Sequence, residues 1–187
     1  MNPVQAVNAA DTKFQAAIAH FEEDLKKVRT GRAHPSMLDS VVVSAYGTDM
    51  PLVQVANVTA PEGQLLQITP FDPTTIQAIA SAIRDNPTLG LNPSDDGRVV
   101  RVPIPPLNEE RRREYVKIVG GKLEDCMIAL RNIRREAMDA IDAGKKDKEI
   151  GEDESKRLQK QTDDNLNLYK SKAEAAAKTK EQEILTV

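Results

Sequence analysis

Hydrophobic positions change period twice along this chain. Val4, Val7, Ala10, Phe14, Ile18, Phe21, Leu25 and Val28 recur at spacings of three and four, the stripe of an amphipathic α-helix. Arg29-Thr30-Gly31-Arg32 closes it, with Gly31 suited to a left-handed terminal residue and Arg29 to the negative end of the helix dipole. From Ala33 the pattern becomes short β-branched runs at residues 40–46 (SVVVSAY), 52–59 (LVQVANVT), 64–69 (QLLQIT) and 98–104 (RVVRVPI). Gly47-Thr48-Asp49, Pro61-Glu62-Gly63 and Asp95-Asp96-Gly97 read as the turns between strands. Asp72-Pro73 reads as a cap and first residue of a short helix, whose inner face carries Ile76, Ile79, Ala80 and Ile83.

Helical period then returns. Glu109 and Glu110 suit a first turn capped by Asn108. Val116, Val119, Leu123, Cys126, Leu130, Ile133, Ala137 and Ile141 keep a near-heptad seam. Gly120-Gly121 interrupts that seam at a cost in helix propensity and marks a place to bend. A charged turn is predicted at residues 144–149 (GKKDKE). A last helix opens on Glu152-Asp153-Glu154, with the seam Leu158, Thr162, Leu166, Tyr169, Ala173, Ala176 and Ile184. The thinness of this seam predicts fraying toward the end.

Burial sets the topology. Three long amphipathic helices need one another, and the first is separated from the other two by a block with its own apolar set. The prediction is an α+β protein: an antiparallel three-helix bundle from residues 1–32 and 106–187, with a small β/α/β domain, 33–105, inserted on a two-strand hinge. The hinge strands contain Ala33, His34 and Pro35 on one side and Pro103, Pro105 and Pro106 on the other, where proline resists continuing a helix or a central strand.

Composition narrows the function. Net charge is −3, against a generic nucleic-acid glue. Residues 33–105 carry −4 while residues 107–135 carry +3, so any polyanion contact must come from a focused patch. Aromatic content is 3 % without tryptophan, which disfavours stacking platforms for single strands. One cysteine and two histidines leave no internal disulfide, cysteine-rich zinc site or His-rich metal centre. No apolar run approaches the roughly 20 residues that span a bilayer, and no secretory leader opens the chain; a cytoplasmic protein is expected.

Catalytic chemistry finds no local motif. Cys126 falls on the buried seam, where an inert thiol is expected. Gly120-Gly121 lacks the Lys-Ser/Thr of a phosphate loop. The cationic residues say more: Arg131, Arg134 and Arg135 stand at i, i+3 and i+4 and share a helix face. Arg29 and Arg32 close the first helix, and Arg111, Arg112 and Arg113 open the second long one. Guanidinium forks suit bidentate phosphate contacts. A solvated face paired with Glu109, Glu110 and Glu136 explains the same spacing, and spacing alone favours that plainer reading.

Several segments together resemble the bacterial ribosome recycling factor family. They are Arg29-Thr30-Gly31-Arg32-Ala33 with Pro35, Tyr46-Gly47, the run 52–55 with Gln54, and Leu89-Gly90-Leu91-Asn92-Pro93. Pro106-Leu107-Asn108-Glu109-Glu110-Arg111-Arg112 and Arg131-Asn132-Ile133-Arg134-Arg135 complete the set. The likeness spans nearly the whole chain in order. It implies a three-helix bundle with an inserted β/α/β domain, and a non-enzymatic translation factor without cofactor or metal. Such a factor binds large-subunit rRNA of the post-termination ribosome and, with elongation factor G and GTP, promotes subunit splitting and release of mRNA and tRNA. By position, Arg29, Arg32, Arg131 and Arg134 are implied as rRNA contacts, with Arg112 and Arg135 beside them; the proline-bearing linkers are implied as a moving joint. A monomer without membrane contact is expected. The alternative from the residues is a helical adaptor or co-chaperone using the bundle on protein partners, for which no salt-sensitive ribosome association is expected.

Overall fold

The computed structural model describes residues 2–186. The chain folds as two compact units, one formed by residues 2–30 with Glu109–Thr186 and the other by Gly31–Asn108.

The first unit holds three long helices: α1 (Pro3–Lys26), α4 (Glu109–Lys146) and α5 (Glu152–Leu185). Asn2 caps α1 by accepting the Val4 amide at 2.9 Å, and Pro3 occupies the first helical position, where its missing N–H is not needed. Pro3 lies against Gly144 and Lys13 pairs with Glu136, so α1 and α4 run antiparallel. Phe14 meets Tyr169 with ring centroids 5.6 Å apart, and Val7 packs near Leu158, so α1 and α5 run parallel. The bundle core consists of Ala10, Phe14, Ile18, Phe21, Leu25, Val119, Leu130, Ala137, Ala173 and Ile184. Val7, Ile141 and Leu158 extend it at one end. Fully burying each such large side chain contributes about 1.5–3 kcal/mol, which is why no one helix stands alone.

The seams depart from expectation in detail. Val4 is 38 % exposed, while Pro3 and Ala6 are buried in its place. Helix α1 stops at Lys26 with Lys27 as its cap, short of Gly31, which nevertheless takes φ +80°. Gly120-Gly121 does not interrupt α4, a continuous helix of 38 residues, because the flanking seam is anchored on both sides by Val119 and Cys126. Gly144 lies inside that helix and buried, not in a turn; the chain reverses after it, with Lys148 at φ +59°. The last helix does not fray among its described residues. Ile184 is fully buried and Ala177, rather than Ala176, turns inward.

The second unit contains six strands among the described residues. β1 (Val42–Ala45) and β2 (Thr48–Pro51) form an antiparallel hairpin. β3 (Ala56–Glu62), β4 (Leu65–Pro70), β5 (Ser94–Asp95) and β6 (Val100–Pro103) form an antiparallel sheet in the order β3-β4-β6-β5. Helix α2 is one turn (Leu52–Val55), and α3 spans Ile76–Arg84. The expected strand over 52–59 is therefore half helix: Leu52 and Val55 both turn into the core from one helical turn, a spacing of three that a short β-branched run disguises. Thr48 and Asp49, read as turn, pair as strand with Ala45 and Ser44. Pro61 and Glu62 also belong to a strand. Asp72 caps a 3₁₀ turn (Pro73–Thr75) by accepting the Thr74 amide at 3.0 Å, and α3 buries Ile76, Ile79, Ala80 and Ile83 as expected. They close on Val43, Leu66, Ile68, Val100 and Val102.

Candidate nucleic-acid interface

The arginines of α4 differ in what holds them. Arg131 is exposed and bonds Glu124 at 2.7 Å. Arg134 reaches across to α5, where its Nε donates to Asp163 Oδ1 at 2.6 Å, with both side chains close to half exposed. That bond engages the Nε of Arg134. Arg135 is exposed and makes no ion pair or hydrogen bond among the described residues. The three thus form a graded set: one clamped to its own helix, one braced from α5, one free. Leu130 and Ala137, buried on the same helix, anchor it to the bundle.

Other expected positions are arranged differently. Arg112 is in heptad phase with Val119 and Cys126, and its Nε is buried without a hydrogen-bond partner. Arg113 is exposed and pairs with Glu109 one turn earlier; Arg111 pairs with Glu114 at 3.8 Å. Arg29 follows α1 half-buried, in the bundle unit, whereas Arg32 is exposed and belongs to the other unit. The structure therefore gathers Arg131, Arg134 and Arg135 on one helix face and assigns Arg29 and Arg32 to separate bodies.

The proline-bearing linkers are more structured than their composition implies. The Ala33 amide donates to the Gly63 carbonyl at 2.8 Å. His34 accepts the Ser36 amide on Nδ1 and caps a 3₁₀ turn that begins at Pro35. Pro103 ends β6 opposite Leu65, and the Ile104 amide donates to the Gln64 carbonyl. Pro105 and Pro106 alone of the six lie outside these bonds and exposed.

No cluster of metal-ligating side chains occurs among the described residues. Cys126 is buried, and burial pushes its thiol pKa up, away from reactivity. No helix among the described residues is long and apolar enough to cross a membrane.

A long helical bundle interrupted by a small β unit, with three arginines gathered on one face of α4, defines an α+β protein of bundle-plus-insert architecture. The ribosome recycling factor family model matches residues 21–185. The ribosome-recycling factors of Streptomyces coelicolor and Mycobacteroides abscessus are 44 % and 46 % identical, each over 95 % of this chain and 96 % of theirs. A solution structure of a ribosome recycling factor superposes with a TM-score of 0.77 at 31 % identity, covering 100 % of this chain and 99 % of that one. The Thermus thermophilus factor, in a structure with Escherichia coli elongation factor G on the post-termination complex, gives 0.66 at 39 % identity over 99 % and 100 %. The chain belongs to the ribosome recycling factor family, whose members are non-enzymatic factors of protein biosynthesis that recycle ribosomes.

Proposed function

We infer that this chain binds the post-termination ribosome as a monomer through large-subunit rRNA, using the α4 face that carries Arg131, Arg134 and Arg135. With elongation factor G and GTP it then promotes splitting of the subunits and release of mRNA and tRNA, in the cytoplasm, with no cofactor of its own. The observation that carries this reading is Arg135: an exposed guanidinium without a protein partner among the described residues, one residue from Arg134. Two adjacent forks on a rigid helix suit phosphates held at fixed spacing in folded RNA. The relative on the post-termination complex with elongation factor G supports the choice of partners.

Arg29 and Arg32 extend the contact from their own units. Arg112, at the start of α4 with its Nε buried, belongs to the same contact in this reading. The two units meet in sequence at Thr30-Gly31 and at Asn108-Glu109, and the moving joint of this reading comprises the two adjoining crossings that carry Ala33, His34 and Pro35 and Pro103, Pro105 and Pro106.

Co-sedimentation with post-termination ribosomes at two salt concentrations, with and without elongation factor G, tests the reading. Binding should weaken steeply with salt, and Arg135→Ala should lower the salt slope by about one. Salt-insensitive association, or none, would reject it.

A further inference from the structure

Arg131 and Arg134 are held by carboxylates that ordinary helix pairing does not supply. Ion-pair partners on one helix stand three or four residues apart. Around Arg131 those positions hold Met127, Ile128 and the other two arginines, and around Arg134 they hold no acid either. The three cations are therefore one another's neighbours. Arg131 instead reaches back seven residues, roughly 10 Å along α4, where its Nη2 donates to Glu124 Oε1 at 2.7 Å. Arg134 reaches off its own helix altogether, to Asp163 on α5.

Stability does not account for the two bonds. The four side chains are between 42 % and 61 % exposed, and pairs so exposed contribute little to folding. Their chemistry says more. A carboxylate offers a guanidinium what a phosphate offers it: charged oxygens at hydrogen-bond distance. Arg135 alone of the three has no such anion bonded to it among the described residues. Two negative charges thus sit among the three positive ones of this face.

That arrangement acts on binding in one direction. An arginine already paired gains only the difference between phosphate and carboxylate when RNA arrives. When its phosphate lets go, the carboxylate beside it takes the guanidinium back. Differences of this kind between variants of one interface fall mostly on the dissociation rate.

We propose that Glu124 and Asp163 are built-in phosphate substitutes that regulate release: they hold Arg131 and Arg134 between rounds, yield to rRNA phosphates on binding, and retake both arginines as the chain leaves the ribosome. Release control of this kind rests on the rRNA reading of the α4 face and sets how long that contact lasts.

The test follows dissociation of the labelled full chain from post-termination ribosomes during a chase with excess unlabelled chain. Glu124→Gln and Asp163→Asn, each close in shape to the residue it replaces, should each slow dissociation by roughly threefold, and together by roughly tenfold. Asp125→Asn removes the same charge from an exposed acid of α4 that bonds neither arginine, and should leave the rate within about twofold of the parent. In an Arg131→Ala background Glu124→Gln should have no effect, since the arginine it sets loose is gone. Release from Glu124→Gln and Asp163→Asn no slower than from Asp125→Asn would overturn the proposal. Equal slowing by Glu124→Gln with and without Arg131 would do the same. Arg135→Ala reports separately on the rRNA reading. Weaker binding there, with parent-like release in the carboxylate variants, rejects the substitutes and keeps the reading; unweakened binding rejects the reading itself.

Discussion

Gly144, near the end of α4, lies against Pro3, the first residue of α1, so closely that a Cβ on the glycine would overlap the proline Cγ. The contact locks the start of one helix to the end of another, and neither backbone position nor the proline ring can give way cheaply. Gly144→Ala gains helix propensity yet must push α1 outward, and overpacking of this kind costs about 1–3 kcal/mol. Urea unfolding should show a lowered midpoint; an unchanged or raised midpoint would mean that the helix ends slide freely.

Gly120 and Gly121 give the opposite expectation. Both are exposed in mid-helix, and nothing lies within 4 Å of a Cβ placed on either. Replacing both by alanine should raise stability by about 1 kcal/mol per site. Thermal melts would record this as a higher Tm with unchanged circular dichroism at low temperature. A fall in Tm would show that α4 needs the two glycines to flex.

These three glycines mark where the sequence was legible. The pattern of apolar residues located every long helix, and the split of the bundle between both chain ends followed from burial alone. It did not separate a glycine needed for close approach from one with open space around it, since both read as breaks in a helix; only the neighbour across the interface distinguishes them. The run 52–59 failed for a related reason. Leu52 and Val55 bury like a helical turn and Ala56 and Val58 like a strand, and a local window averages the two. In the candidate site the spacing of Arg131, Arg134 and Arg135 was readable as one face. Which of them is braced depends on Asp163, far along the chain, and which linker residues are tied down depends on Gly63, Gln64 and Leu65.

The Arg134–Asp163 pair carries a prediction about competition. Both side chains are close to half exposed, so the pair contributes between about 0 and 1 kcal/mol to folding. Asp163→Asn should therefore scarcely move the unfolding midpoint. It removes an anion that competes with phosphate for the guanidinium, and ribosome affinity should rise, whereas Arg134→Ala should weaken binding with the helical signal intact. Co-sedimentation of the two variants beside the parent decides it: equal affinity in all three would detach Arg134 from the ribosome contact.

Asp96 gives the β unit a pH dependence whose sign follows from its bonds. Its carboxylate accepts the Val99 amide at 3.0 Å, the Arg101 guanidinium at 2.7 Å and the Arg98 amide at 2.9 Å. These three donors hold its pKa well below the ordinary 3.8, the Val99 amide contributing most. The unfolded chain thus takes up this proton at a higher pH than the folded one. Stabilisation by Asp96 is complete above the ordinary carboxylate range and is lost as pH falls below about 4. Asp96→Asn cannot carry the charge, so it should be less stable than the parent at neutral pH, and the gap should narrow on acidification. The difference between the two urea midpoints should be constant from pH 7 to about pH 5 and begin to shrink as pH falls from about 4 to 3. Parallel curves would show that the Asp96 turn, between β5 and β6, is held by shape and not by its charge.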